Sequence, residues 1–147
     1  MNAWRKLLAL TPRNRLVLCQ AAALLPMAWM ALRLRPLPAL TAAVRRRALR
    51  AQGRPDQRPL SPDDADAWAR LVTVADRHGP LPPSCLRKSL VLAWLLAARG
   101  IDATVKLGVT TERGALAAHA WLEVARPSPR RFFNEPGFEL LVPAAPS

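Results

Sequence analysis

The chain has 147 residues, 51% of them hydrophobic, and carries 22 Lys and Arg against 10 Asp and Glu, for a net charge of +12. The apolar fraction excludes an intrinsically disordered chain, and two cysteines are too few for a disulfide scaffold. A chain of this length suits one domain with one modest core.

The positive charge is concentrated in the first part of the chain. Residues 1–58 contain twelve basic residues and one acid, for +11, whereas residues 59–147 contain ten basic and nine acidic residues, for +1. We therefore predict a basic N-terminal helical arm over residues 1–58 and a nearly neutral domain over residues 59–147. Because no aromatic residue is interleaved with the arginines of residues 33–58, bases would have nothing to stack on, and nucleic acid is not an expected partner.

Residues 16–32 form an uncharged run of seventeen residues with Arg on both flanks. A membrane-spanning helix needs about 20 apolar residues, and this run contains Gln20 and Pro26. We predict a helix buried against the rest of the protein or a partner, with peripheral membrane association through residues 16–32 as the alternative. Two differently placed cysteines are not expected to pair, which favours a cytoplasmic location.

The arginines are densest at Arg45, Arg46 and Arg47, inside a segment broken by several prolines. One interpretation of residues 33–60 is a solvated helix followed by a linker. The alternative is a partner-binding surface formed by Arg45, Arg46 and Arg47, which would hold a protein, an acidic peptide or a membrane surface.

Helices and then strands are predicted after residue 60. Ser61-Pro62-Asp63-Asp64 is a typical helix start, and that helix ends at His78-Gly79. After a Pro-rich loop, a helix that opens at Ser84-Cys85 is apolar on nearly every side up to Arg99, which predicts burial. The pattern then changes to strands over residues 101–110, 118–124 and 131–135. The fold class is α+β, with the buried helix packed on an antiparallel sheet.

Cys85 occupies the N-terminus of the buried helix. Free backbone N–H groups and the helix dipole stabilise an anion there, and the thiolate is the nucleophilic form of cysteine. A single cysteine is more often a small buried hydrophobe, so this assignment depends on a histidine within reach. Cys19 lies in the apolar run and is assigned to packing. No Cys/His spacing typical of a metal site occurs, and neither a metal nor another cofactor is expected.

His119 is the candidate base, since His78 fits the end of a helix. A Cys/His pair also needs a group that orients the imidazole. If Val124 pairs with Arg130 across the following loop, Glu135 falls opposite His119, whereas a slip of one residue brings Asn134 there. We favour Glu135, with Asn134 as the alternative, because a carboxylate also stabilises the imidazolium.

Three blocks of sequence together resemble the transglutaminase-like cysteine proteases of lasso-peptide biosynthesis. They are the Cys85 block with Leu86, Ser89, Leu90, Leu92, Trp94, Leu95, Leu96, Gly100, Ile101 and Ala103; the strands with Leu107-Gly108-Val109 and Ala118-His119-Ala120-Trp121-Leu122-Glu123; and Asn134-Glu135-Pro136. The resemblance covers residues 60–142 and implies a papain-like core. It also implies Cys85 as nucleophile, His119 as base and the Asn134-Glu135 pair as the source of the orienting residue.

The resemblance further implies an activity and its partners. Such proteases remove the leader peptide from a ribosomally made precursor. This chain resembles the split form, in which a separate protein recognises the leader, and the pathway context implies an asparagine-synthetase-like lasso cyclase. Two alternatives remain: a non-catalytic or membrane-associated scaffold for peptide maturation, and an acyl transferase that uses the same Cys-His-acid group.

Overall fold

The computed structural model describes residues 3–54, 60–125, 129–133 and 139–140. Within them, five helices precede an antiparallel sheet, as the α+β prediction requires. The helices are α1 (Ala3–Leu8), α2 (Pro12–Leu34), α3 (Leu37–Gln52), α4 (Pro62–His78) and α5 (Cys85–Ala97). The strands are β1 (Ala103–Glu112), β2 (Ala115–Val124), β3 (Arg130–Phe132) and β4 (Glu139–Leu140), in the spatial order β3-β2-β1-β4.

The predicted helix starts are confirmed by their caps. The Ser61 hydroxyl accepts a hydrogen bond from the Asp64 N–H at 3.1 Å, with Pro62 as the first helical residue. The Ser84 hydroxyl accepts one from the Arg87 N–H at the start of α5. In both cases the side chain satisfies an amide that has no acceptor within the helix.

The core lies around α5, which packs on β1 and β2 and is contacted by α2, α3 and α4. α5 is buried almost all round, as its sequence predicts. α2 and α3, which precede the predicted boundary at residue 58, contribute to the same core as α4 and α5, and the boundary itself stays a prediction. Buried residues that these two helices contribute are Val17, Ala21, Leu25, Val44 and Ala48.

The pairing of β2 with β3 has the predicted register. Val124 pairs with Arg130 and Leu122 with Phe132, as predicted. β1 and β2 form a hairpin through Arg113 and Gly114, which both have positive φ (51° and 80°), as a two-residue type I′ turn requires. β4 pairs with β1 on the opposite edge of the sheet and was not predicted.

Candidate functional site

Cys85 is the first residue of α5 and lies against the middle of β2. The Ala120 N–H donates a hydrogen bond to its Sγ at 3.3 Å. The described pairs of β2 with β3 run from Leu122 to Val124, so Ala120 lies two residues before them on β2. The structure thus brings the predicted nucleophile next to the residue that follows the predicted base, His119.

The start of α5 presents backbone amides at Cys85. The first bond within the helix runs from the Lys88 N–H to the Ser84 carbonyl, and the Ser84 hydroxyl caps the Arg87 N–H. The amides of Cys85 and Leu86 therefore precede the hydrogen-bonded part of the helix. Such amides can bind a developing oxyanion next to the sulfur.

His119 is half-buried on β2, and its Nε2 lies 2.5 Å from the Phe133 carbonyl oxygen. Since a carbonyl only accepts hydrogen bonds, Nε2 carries the proton in this arrangement. Phe133 was not predicted as a site residue.

Phe133 adopts a left-handed conformation, with φ of 65°. This conformation is uncommon for a residue with a Cβ, and Phe133 directly follows β3, which ends at Phe132. Lys88 Nζ lies 4.9 Å from the centre of the Phe133 ring, so α5 contacts the ring while His119 contacts the carbonyl. Nothing in the residue type signals this backbone geometry.

The two predicted orienting residues, Glu135 and Asn134, lie outside the described residues. If the confirmed β2–β3 register continued, Glu135 would fall opposite His119; the described pairs of this register end at Leu122 and Phe132. The choice between Glu135 and Asn134 stays open.

A second contact of His119 runs along its own face of β2. The rings of His119 and Trp121 are stacked with their centres 6.4 Å apart. The Trp121 Nε1–H donates to Glu123 Oε1 at 3.0 Å, and the Glu123 carboxylate also pairs with Arg131 Nε at 3.1 Å. Because side chains alternate along a strand, His119, Trp121 and Glu123 lie on the same face of β2. The contacts of Glu123 hold the Trp121 ring, which in turn stacks on the His119 imidazole.

The loop before Cys85 is held by a buried ion pair. Asp76 Oδ2 accepts from the Ser84 N–H at 2.9 Å, and Asp76 Oδ1 lies 3.6 Å from Arg87 Nη2. Arg87 also donates to the Pro82 carbonyl. These contacts connect the end of α4 to the first turn of α5, and neither Asp76 nor Arg87 was predicted to have this role.

The three arginines predicted to bind a partner have different surroundings. Arg47 stacks on the Trp94 ring at 4.3 Å and donates to the Trp94 carbonyl, which fastens α3 to α5, and burial together with nearby Arg54 lowers its pKa. Arg45 is exposed and lies 3.9 Å from Asp102. Arg46 is exposed. The partner-binding role of the three stays a prediction.

Comparison with known families identifies the architecture around Cys85 and His119. A model of the transglutaminase-like superfamily matches residues 21–129, well over half of the chain, including both residues. The chain belongs to the transglutaminase-like superfamily. No curated protein and no solved structure matches it significantly.

In this transglutaminase-like domain, the matched region begins within α2 and ends before Asn134 and Glu135. The superfamily includes cysteine proteases and transglutaminases, which is consistent with a thiol nucleophile at Cys85. Among the described residues, no group of three His, Cys, Asp or Glu side chains has the arrangement of a metal site.

One described helix, α2, is long and apolar enough to cross a membrane by length and composition, and 17% of its most apolar window is buried in the protein. Val17, Ala21 and Leu25 on one face of α2 belong to the core. α2 is therefore attached to the transglutaminase-like domain along that face while other parts of its surface are exposed.

Proposed function

We propose that this protein is a cysteine peptidase that removes the leader peptide from a ribosomally synthesised lasso-peptide precursor. One observation carries the proposal: the Cys85 sulfur lies at a helix N-terminus, 3.3 Å from the amide of Ala120, and the preceding residue of β2 is His119, whose Nε2 contacts the Phe133 carbonyl. The sequence resemblance supplies the substrate class. The peptidase works in the cytoplasm on a precursor delivered by a separate leader-recognition protein, ahead of a lasso cyclase.

The first half of the reaction forms a thioester. His119 takes the proton of the Cys85 thiol, and Sγ attacks the carbonyl carbon at the junction of leader and core. The Cys85 N–H donates to the oxyanion of the tetrahedral intermediate. The C–N bond then breaks, and the imidazolium returns its proton to the leaving amine of the core peptide.

The second half releases the leader. Water attacks the thioester carbonyl while His119 takes one of its protons, and the C–S bond then breaks as the imidazolium returns that proton to the sulfur, which regenerates the thiol and the neutral base. Throughout, Glu135 is the proposed orienting carboxylate, with Asn134 as the alternative. A carboxylate near the ring stabilises the imidazolium that forms in each half.

The test is cleavage of the precursor by the purified full chain in the presence of its recognition protein. Replacing Cys85 by Ala should abolish cleavage, and Cys19→Ala is the matched control because Cys19 is exposed on α2, away from His119. Undiminished cleavage by Cys85→Ala, or no cleavage by the unmodified chain, would contradict the proposal. Product masses separate hydrolysis, which adds water, from acyl transfer, which joins an amine.

A further inference from the structure

A groove of about 380 Å³ opens between α2 and α3, with α5 as its floor. Four of the residues that line it from α2 and α3 are alanines, whose small side chains leave space between the two helices. These alanines are Ala28 and Ala31 of α2 and Ala39 and Ala43 of α3. Leu90 and Val91 of α5 belong to the floor and are buried core residues, so the groove ends on the interior of the protein.

The rim of the groove on α2 is apolar and exposed. Met27 lines the groove and is 62% exposed, and Met30 and Leu34, further along the same helix, are 48% and 74% exposed. Large exposed side chains next to an apolar groove are typical of binding surfaces. Met in particular adapts its shape to a partner.

The charge around the groove has one sign. From residue 3 to residue 54 the chain contains no Asp or Glu. Arg35 and Arg46 line the groove from α2 and α3, and neither forms an ion pair within the described part of the chain. Arg13 and Arg45, by contrast, lie within 4 Å of Asp64 and Asp102. Arg35 and Arg46 therefore remain available to carboxylates from outside.

We infer that the α2–α3 groove binds an amphipathic helix of a partner protein, with apolar side chains facing the groove and Asp or Glu on its flanks. A concave apolar site accepts the ridge of side chains that such a helix presents at positions i, i+3, i+4 and i+7. Acidic flanks complement Arg35 and Arg46. A second copy of this chain is disfavoured because it brings the same arginine-rich arm.

The inference does not depend on the proposed peptidase activity. The groove is lined from α2, α3 and the middle of α5, and its lining includes neither Cys85 nor His119. Binding in the groove and reactivity of Cys85 can therefore be measured separately on the same protein.

The probe is a display library of helices of about 18 residues, or five turns. Leu is held at four positions spaced i, i+3, i+4 and i+7, and every other position is randomised among Glu, Lys, Gln and Ala. Clones are selected on the full-length protein, and their affinity is measured by fluorescence anisotropy at two salt concentrations. We expect Glu over Lys on the flanks of the Leu face, and weaker binding at higher salt.

Because the whole chain is positively charged, a preference for Glu does not by itself locate the site. Ala43→Leu fills the groove and should weaken binding about tenfold, since an anchoring side chain no longer fits. Arg46→Glu should weaken it about fivefold or more, whereas Arg50→Glu, on the same helix outside the groove lining, should change it by less than about twofold. Ala31→Leu replaces Ala43→Leu if the latter fails to fold by circular dichroism.

Three results would overturn the inference. One is a set of clones without enrichment of Glu, and another is binding that responds equally to Arg46→Glu and Arg50→Glu. The third is that Ala43→Leu and Ala31→Leu both leave affinity unchanged. Vesicles of phosphatidylcholine with about one-fifth phosphatidylglycerol are tested in parallel, and vesicle binding that responds to Met27→Glu in the absence of any groove-binding clone would assign the surface to a membrane instead.

Discussion

Asp76 and Arg87 form an ion pair whose side chains are 3% and 6% exposed, with 3.6 Å between Asp76 Oδ1 and Arg87 Nη2. The pair joins the end of α4 to the first turn of α5, two residues from Cys85. Arg87 Nε is buried without a hydrogen-bond partner among the described residues, so the guanidinium depends strongly on the contacts it does make.

Asp76→Asn should lower the free energy of unfolding by about 3–5 kcal/mol, because it leaves the Arg87 charge buried without its counterion. Urea denaturation measures the change. Asp66→Asn is the control, since the Asp66–Arg130 pair is partly exposed and is expected to be worth about 1 kcal/mol or less. Equal losses in the two variants would show that the Asp76–Arg87 pair does not hold the loop.

Trp121 should affect the rate at which Cys85 reacts. Trp121→Phe removes the hydrogen bond to Glu123 and reduces the ring that stacks on His119, a contact worth about 0.5–1.5 kcal/mol. We expect precursor cleavage, as kcat/KM, to fall by about twofold to tenfold. Trp29→Phe, on α2, is the control and should leave the rate unchanged. A fall in thermal stability with no change in rate would restrict Trp121 to packing.

The β2–β3 register was predictable because the five-residue loop after Val124 and the alternation of apolar residues constrain the pairing. Phe133 was not predictable, since a left-handed backbone at a residue with a Cβ depends on tertiary contacts such as those to His119 and Lys88. β4 has two residues and pairs with the distant Gly108 and Val109, so no local pattern marks it.

The different surroundings of Arg45, Arg46 and Arg47 were also not predictable from the sequence. Consecutive residues on a helix point about 100° apart, so three adjacent arginines meet three different environments. Only the packing of α3 on α5 determines that Arg47, rather than Arg46, stacks on Trp94. The run of arginines in the sequence therefore predicts a basic surface, but it cannot tell which of the three arginines is exposed and which packs on another helix.

Gly100 should resist substitution. Its φ is +75°, and a Cβ there would lie 3.2–3.3 Å from Gln52 atoms, including the Gln52 backbone, at the junction of α3 and α5. Gly100→Ala should therefore cost more than the 1–2 kcal/mol expected for a left-handed conformation alone, roughly 2–3 kcal/mol. Two other glycines allow the cost of the left-handed backbone to be separated from the cost of the contact with Gln52. Gly114 has φ of +80° with open space around it, and Gly53 has φ of −84° with its nearest neighbour at 3.9 Å.

The loss of unfolding free energy, measured by urea denaturation, should be largest for Gly100→Ala, smaller for Gly114→Ala and smallest for Gly53→Ala. Gly53→Ala is expected to be neutral or stabilising by up to about 1 kcal/mol, since it restricts the unfolded chain without strain. If Gly100→Ala and Gly114→Ala lose the same unfolding free energy, Gln52 moves away from the added Cβ without destabilising the protein.

Ser84 and Ser61 cap different helices in the same way, which allows the stability of a cap to be separated from its effect on the site. Each hydroxyl accepts a hydrogen bond from the amide three residues later, and each Ser→Ala replacement should cost about 1 kcal/mol of unfolding free energy. Ser84 also precedes Cys85 and holds the first turn of α5, whose amides lie next to the sulfur. In a Cys19→Ala background, Ser84→Ala should therefore slow alkylation of Cys85 by iodoacetamide several-fold, whereas Ser61→Ala should not. Equal alkylation rates at equal stability would mean that the Asp76 contact alone positions the nucleophile.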